Sequence, residues 1–169
     1  NARCEDACSR AAVDDAVNIR LLKRFVTDHV YGGPRLAPEP AARLHGERIA
    51  IIGSGPAGLT AAQDLCKRGY AVTVFEALPA AGGMLRVGVP AYRLPEHILD
   101  REIQDIVDLG VELHLETRID DLGSLFEEGF AAVLVSVGAH EGIRLPLAGN
   151  DLDGVLINTD FLRDATLDA

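Results

Sequence analysis

The sequence predicts an α/β protein with a Rossmann-like, doubly wound parallel sheet. Three observations lead to this fold class. An apolar segment at 48–52 runs directly into a glycine-rich turn, a helical pattern follows at 56–68, and a second apolar segment at 71–75 follows that helix. Strands separated by helices form parallel sheets whose two faces are covered by the helices. The same alternation continues toward the C-terminus.

The N-terminal part is predicted to be helical. Residues 14–29 carry apolar side chains at helical spacing, and Tyr31-Gly-Gly-Pro34 ends the pattern. Residues 36–45 contain Pro38 and Pro40 and are predicted to form a linker along the surface. This gives two predicted domains: a short helical segment with its linker at 1–45, and the α/β domain at 46–169.

The remaining elements follow the same reasoning. A helix is predicted at 96–109, because Pro95 precedes it, one apolar stripe runs along it and Gly110 ends it. Residues 111–115 alternate apolar and polar side chains, as a strand does, and a short helix is predicted at 122–128. Residues 131–137 are almost entirely apolar and predict a strand buried inside the parallel sheet. A last short helix is predicted at 159–164.

The glycine-rich turn is the most informative feature for function. It reads Gly53-Ser-Gly-Pro-Ala-Gly58, the GxGxxG pattern that places a dinucleotide pyrophosphate against a helix N-terminus. The next strand ends at Glu76, whose carboxylate can accept hydrogen bonds from ribose hydroxyls and would repel a 2′-phosphate. NAD and FAD are both compatible with this pattern. The alternative is that the glycines only form turns and that Glu76 is a solvated charge.

The segment after Glu76 distinguishes between NAD and FAD as the expected cofactor. Residues 82–95 read GGMLRVGVPAYRLP. This segment, with the acid-x5-Gly-Gly pattern before it, resembles the flavoproteins that bind two dinucleotides. Within that superfamily it is similar to the small subunit of glutamate synthase and its relatives, which include the N-terminal flavin region of dihydropyrimidine dehydrogenase. The resemblance extends from Cys4 to about Leu162.

The resemblance implies FAD as the cofactor of this domain and assigns no catalytic side chain. Gly83 and Met84 match the contact of the second glycine pair. Ile119 matches a backbone contact near the adenine, and Gly138 matches the loop that returns beside the phosphates. The implied pyrophosphate contacts are Gly53, Ser54, Gly55, Pro56, Ala57 and Gly58, with Glu76 as the ribose acid.

Arg93 matches an arginine in the family's Pro-x-x-Arg-Leu-Pro run. A guanidinium with five donors also suits a phosphate or a flavin oxygen on chemical grounds alone. The alternative is a surface arginine paired with an acid such as Glu96, since exposed ion pairs are common.

The three cysteines divide into two groups. Cys66, on the helix after the glycine turn, is expected to be a small buried apolar residue. Cys4 and Cys8 form a Cys-x3-Cys pair, and the resemblance implies that they belong to a helical iron–sulfur domain with a 4Fe-4S cluster. Two thiols cannot complete a four-thiolate site, so free thiols are the favoured alternative for this sequence.

The implied function is that of an NAD(P)H-dependent oxidoreductase. In the family, electrons pass from NADPH through FAD to an iron–sulfur centre or a large partner subunit. No second GxGxxG/A pattern is present, so the NADPH domain is expected to lie outside this sequence, and the FAD domain is expected to be incomplete. No cysteine follows the second glycine pair, where disulfide reductases carry a redox pair. The alternative is a non-catalytic module that binds a nucleotide or docks a partner.

The amino-acid composition limits the classes of binding partner that are expected. The 16 basic and 26 acidic residues give a net charge of −10, which disfavours nucleic acid and anionic membranes. The longest apolar runs have the length of strands, which is too short to span a membrane. Cysteines without a paired framework favour a reducing compartment, so a cytoplasmic location is expected. The five histidines are scattered without ligand spacing.

Overall fold

The computed structural model describes residues 2–167. The chain divides between Ala37 and Pro38 into two compact units. The first unit is helical, as predicted. It consists of α1 (Arg3–Asp6), a 3-10 turn (Ser9–Ala12) and α2 (Ile19–Tyr31), and none of these elements contains a buried residue. Helix α2 begins five residues later than predicted, at Ile19.

The second unit contains a four-stranded, fully parallel sheet. Its strands are β1 (Arg48–Ile52), β2 (Ala71–Phe75), β3 (Glu112–His114) and β4 (Ala132–Val135). Its helices are α3 (Pro56–Lys67), α4 (Met84–Val87), α5 (Glu96–Asp108), α6 (Leu122–Glu127) and α7 (Asn158–Leu167). The Rossmann-like fold class is thereby confirmed. The four-residue helix α4 has no counterpart in the sequence prediction.

Side chains alternate between the two faces of the sheet, and helices cover both faces. Ile51 points to one side, where it packs with Val74 of β2 and with Ala62 and Cys66 of α3. Ile52 points to the other side and belongs to a cluster that includes Leu125 of α6. A sheet with helices on both faces is the doubly wound arrangement.

The strand order, β3-β2-β1-β4, creates a crevice next to β1. The chain moves outward from β1 to β2 and β3, and then returns to place β4 on the opposite side of β1. The direction in which the chain adds strands therefore reverses at β1, with β2 on one side of it and β4 on the other. Ligands of such sheets bind outside the carboxyl ends of the strands at this point.

Strand β4 differs from its prediction in burial. It pairs with β1 in parallel, from Ile49 opposite Ala132 to Ile52 opposite Val135. However, Leu134 is 39% exposed and Val135 is 52% exposed, so the prediction of a buried strand is wrong. The reason is position, since β4 is an edge strand with β1 as its single partner in the described sheet.

The linker residues after Pro38 group with the second unit and lie along it. The Ala41 N–H donates to the carbonyl of Leu109 at 2.9 Å, and the Leu44 N–H donates to that of Gly69 at 3.0 Å. The His45 ring stacks on Tyr70 with centroids 4.3 Å apart. The structural division at 37/38 therefore precedes the boundary predicted at 45/46.

Candidate functional site

The carboxyl ends of β1, β2 and β4 open into a cavity of about 570 Å³, called the cleft below. One wall is the glycine turn after β1. The ends of β1 and β2, the loop after β4 and Arg163 of α7 also line the cleft. The cleft therefore lies at the switch point that the strand order defines.

The glycine turn is held between the neighbouring strands. Gly53 has a φ of +102°, and a Cβ added there would lie 2.6 Å from the carbonyl oxygen of Ser136. Its N–H donates to the Phe75 carbonyl at 2.8 Å, while the Ser136 hydroxyl donates to the Gly53 carbonyl at 3.1 Å. Positive φ and close backbone contact both require glycine at this position.

Two further glycines permit close packing of backbone around the turn. A Cβ on Gly58 would lie 2.0 Å from the Gly53 carbonyl oxygen, so α3 packs directly on the turn. A Cβ on Gly83 would lie 2.7 Å from the Cα of Gly55, so the second glycine pair packs on the first glycine motif. The sequence pattern placed both motifs near a cofactor, but did not show that they contact each other.

Gly55 itself borders open space. A Cβ added there would meet no atom within 4 Å, and the residue lines the cleft. Helix α3 begins at the next residue, Pro56. The free N–H groups and the positive dipole end of α3 therefore lie at the cleft beside a backbone that carries no side chain, which is the arrangement that binds phosphates.

Glu76 is a buried, hydrogen-bonded part of the cleft and not a solvated charge. It is 7% exposed. Its Oε2 accepts the Ser54 N–H at 2.9 Å and the Ser54 hydroxyl at 2.6 Å, and its Oε1 accepts the Leu78 N–H at 2.9 Å. A carboxylate offers about four acceptor sites, so these contacts leave one for a ligand hydroxyl. Glu76 thus ties the glycine turn to the end of β2 and still borders the cleft.

Most of the residues predicted from sequence surround the cleft. The cleft-lining members are Gly53, Gly55, Pro56, Ala57, Glu76, Gly83, Met84, Ile119 and Gly138. Ser54 is fully buried behind the turn, and Gly58 lies inside α3 against the turn. Arg93 is exposed in the loop before α5 and is not among the lining residues. A cofactor contact by Arg93 stays a prediction.

Sequence reasoning missed several residues that line the cleft. Ser136 and His140 line the cleft on the side of β4. Strand-end position in a doubly wound sheet was a signal that could have identified Ser136. Arg163 lines the cleft from α7, and its guanidinium pairs with Asp160 at 3.0 Å and with Asp164 at 3.5 Å. Nothing in the sequence pattern indicated Arg163.

The cysteines lie in different environments. Cys4 is exposed, Cys8 is half-buried and Cys66 is buried, with its Sγ 3.3 Å from the Leu109 carbonyl oxygen. Hydrogen bonding to the backbone, above all at Val17, lowers the pKa of Cys8. Burial raises the pKa of Cys66, and the positive charge of Arg43 opposes that effect only in part.

An iron–sulfur cluster does not fit the residues of this chain alone. Cys4 and Cys8 supply two of the four thiolates that a cluster needs. Within residues 2–167, no group of three or more histidine, cysteine or acidic side chains is placed to hold a metal ion. Ligation by Cys4 and Cys8 therefore stays a prediction that requires further ligands.

The fold and the cleft define a class, the dinucleotide-binding α/β domains. In agreement, residues 51–117 match the family described as NAD(P)-binding Rossmann-like domain. The chain is 43% identical, over 98% of its length, to the NADP(+)-dependent formate dehydrogenase subunit beta of Moorella thermoacetica. It is 34% identical, over 95% of its length, to the glutamate synthase [NADPH] small chain of Mycobacterium tuberculosis.

These similarities confirm that the chain is related to the glutamate synthase small chain and to other NAD(P)H-dependent oxidoreductase subunits. The chain spans 27% of the formate dehydrogenase subunit and 33% of the glutamate synthase small chain. Among solved structures, Mycobacterium tuberculosis FprA in complex with NADPH is similar, with a TM-score of 0.63 and 27% identity. That match covers 71% of this chain and 29% of FprA.

In the described part of the chain, no helix has the length and apolarity to cross a membrane.

Proposed function

We propose that the cleft binds FAD, and that this chain is the FAD-binding part of an NAD(P)H-dependent oxidoreductase. The observation that carries the proposal is the contact between the two glycine motifs. The added Cβ of Gly83 would lie 2.7 Å from Gly55, while Gly55 itself borders open space in the cleft. Two stretches of backbone without side chains thus lie beside a helix N-terminus, which suits the diphosphate of a dinucleotide.

Each wall of the cleft has a role in this proposal. Gly53, Gly55 and the start of α3 would hold the diphosphate, since N–H groups and the helix dipole favour anions. Glu76 would accept a ribose hydroxyl with its remaining acceptor site, because Ser54 and Leu78 occupy the others. Met84 would border the ribityl region, and Ile119 the adenine. FAD, when bound, supplies the two-electron and one-electron chemistry, and the protein supplies position and electrostatic environment.

The route of electrons belongs to the same proposal. NADPH would deliver electrons to the FAD domain, and an iron–sulfur centre or a partner subunit would accept them. The similar formate dehydrogenase chain is named as a subunit, which supports a partner subunit. The NADPH site and the complete set of cluster ligands would lie in parts of the protein beyond these 169 residues. The predicted division into an iron–sulfur-type segment and an FAD domain stays part of this proposal.

NAD is a second candidate for the cleft, because the matched family is described as NAD(P)-binding. Glu76 disfavours the 2′-phosphate of NADP, since a buried carboxylate at the cleft repels another anion. Competition distinguishes FAD from NAD. Purified protein should retain a yellow chromophore that a large excess of NAD does not displace. A colourless protein that binds NAD tightly would favour the second candidate.

Gly55→Val is the decisive variant. The new side chain would project into the cleft and occupy the space proposed for the diphosphate, so FAD affinity should fall about tenfold or more, which corresponds to ~1.4 kcal/mol. Gly46→Val is the matched control. Gly46 also has no atom within 4 Å of an added Cβ, but it does not line the cleft.

Both variants should keep the thermal stability of the parent protein, because a Cβ at either position meets no atom within 4 Å. FAD affinity is measured by equilibrium dialysis with absorbance detection. Equal affinity in Gly55→Val and Gly46→Val would refute the cleft as the FAD site.

A non-catalytic nucleotide-binding or docking module is the alternative in a different functional class. The full-length protein distinguishes the two, since its NADPH domain would be present. In an oxidoreductase, NADPH should bleach the flavin absorbance without oxygen and an added electron acceptor should restore it. A bound flavin that NADPH leaves oxidised would favour the binding module.

A further inference from the structure

The cleft is lined by a cationic side chain that the fold motif does not explain. Arg163 lies on α7, in the C-terminal part of the chain, yet it lines the same cavity as the glycine turn. Helix α7 packs on α4, the short helix that directly follows the second glycine pair. The position of Arg163 is therefore set by packing against the segment next to Gly83.

The guanidinium is fixed and still has donors to offer. Its Nη2 donates to the Asp160 carboxylate at 3.0 Å, and its Nε lies 3.5 Å from the Asp164 carboxylate. The side chain is 30% exposed, so most of it is held against protein. An arginine has five N–H donors. The two aspartates engage two of these donors. Among the described residues no other partner is seen for the remaining three, which can therefore donate to a ligand.

A cation at the cleft would favour the proposed ligand. The diphosphate of a dinucleotide is an anion, and this chain has a net charge of −10. Two arginines line the described cavity, Arg118 and Arg163. Arg118 is 76% exposed, pairs with Asp120 and lies beside Ile119 on the adenine side. Arg163 is thus the better-held cation, and its helix packs on α4, which begins at Met84.

We propose that Arg163 is an anion contact of the bound dinucleotide, donating to its diphosphate from α7, while the glycine turn contacts it from the end of β1. Asp160 is the positioning residue that orients the guanidinium. The inference rests on the proposed binding of FAD in the cleft. A charged, planar donor suits phosphate oxygens better than the partial charges of a helix terminus alone.

The test compares ligands that share or lack the diphosphate. Arg163→Met keeps much of the side chain's length and removes its charge. In the purified protein, freed of cofactor, this variant should lower the affinities for FAD and ADP to the same extent, on the order of tenfold. The affinity for adenosine, which lacks the diphosphate, should not change. Arg163→Lys should recover part of the affinity. The loss should shrink as ionic strength rises, because salt screens the charge.

Arg24→Met is the matched control, since it removes an exposed, aspartate-paired arginine that does not line the cleft. It should change ADP affinity by less than about twofold, as expected for an exposed ion-paired side chain. If Arg163→Met lowered the affinity for FAD but not that for ADP, Arg163 would contact the flavin part of the cofactor, and the proposal would be overturned. Unchanged affinity for both would also overturn it.

The failure of this inference is distinguishable from failure of the proposed function. If the parent protein binds neither FAD nor ADP, the proposed function fails. If the parent binds both ligands and Gly55→Val weakens the binding of both, while Arg163→Met has the same affinities as the parent, only the role of Arg163 fails. Thermal denaturation of each variant shows whether it remains folded.

Discussion

The two units of the chain use apolar side chains in opposite ways. In the first unit, the apolar stripe of α2 lies in solvent, with Leu21 57% exposed and Phe25 68% exposed. In the second unit, Ile51 and Leu125 are at most 1% exposed. Both regions have the apolar spacing of a helix or strand. A hydrophobic pattern therefore predicts the element that forms, and a partner surface must be present before that element is buried.

The largest expected effect comes from a matched pair of leucines. Leu125→Ala removes a side chain that is 1% exposed in the core of the second unit, and should lower the free energy of unfolding by about 3 kcal/mol. Leu21→Ala removes the same atoms from a side chain that is 57% exposed, and should change the free energy of unfolding by less than about 0.5 kcal/mol. Urea denaturation followed by circular dichroism measures both.

If the two leucine variants lost equal stability, the exposed stripe of α2 would be buried in solution, for instance against a second copy of the chain. Measurement at two protein concentrations checks that possibility, because stability that depends on association rises with concentration.

The thiols give the next comparison. Cys8 has a lowered pKa and lies at the surface of the first unit, whereas Cys66 has a raised pKa and is 3% exposed. The thiolate is the reactive form, so at pH 7.5 iodoacetamide should modify Cys8 more than about tenfold faster than Cys66 in protein freed of iron. Mass spectrometry of the digested protein reports each rate.

The pH dependence of the same reaction has a definite sign. Below its pKa a thiol loses its reactive charge, and the pKa of Cys8 is lowered. Its labelling should therefore persist to a lower pH than that of a small free thiol in the same solution. Labelling of Cys66 should become comparable with that of Cys8 only when urea unfolds the second unit. Equal rates in the folded protein would contradict the burial of Cys66.

The sequence predicted the first half of the Rossmann-like unit closely. Strands β1 and β2 have the predicted bounds, and α3 ends one residue early, at Lys67. These elements are specified locally, because apolar runs, a glycine turn and a proline at the helix start fix them together. The same local signals located Gly53, Gly55 and Glu76 at the cleft.

The features that the sequence did not predict depend on contacts between distant segments. Leu134 and Val135 are exposed because β4 lies at the sheet edge, which strand order decides and the apolar run does not show. Ser54 was expected at the pyrophosphate, but its hydroxyl donates to Glu76, 22 residues away. Arg163 reaches the cleft only because α7 packs on α4. Such placements follow from tertiary packing, for which one sequence carries no local signal.

The smallest expected effect compares two hydroxyls that donate to backbone carbonyls. The Ser136 hydroxyl donates to the carbonyls of Ile52 and Gly53 at 3.0 and 3.1 Å, and so joins β4 to the glycine turn. The Thr27 hydroxyl donates to carbonyls within α2, where it is exposed to water. The two contacts look alike in distance, but only that of Ser136 connects separate elements.

Ser136→Ala should lower the free energy of unfolding of the second unit by about 1 kcal/mol, because the two carbonyls lose a donor inside the structure. Thr27→Ala should leave stability unchanged or raise it slightly, since water replaces the hydroxyl and alanine favours the helix. Urea denaturation again provides the measurement. Equal losses in both variants would mean that hydrogen-bond distance alone, without burial and connectivity, decides what a hydroxyl contributes here. A Ser136→Ala protein of unchanged stability would show that β4 and the strand pairing alone hold the glycine turn in place.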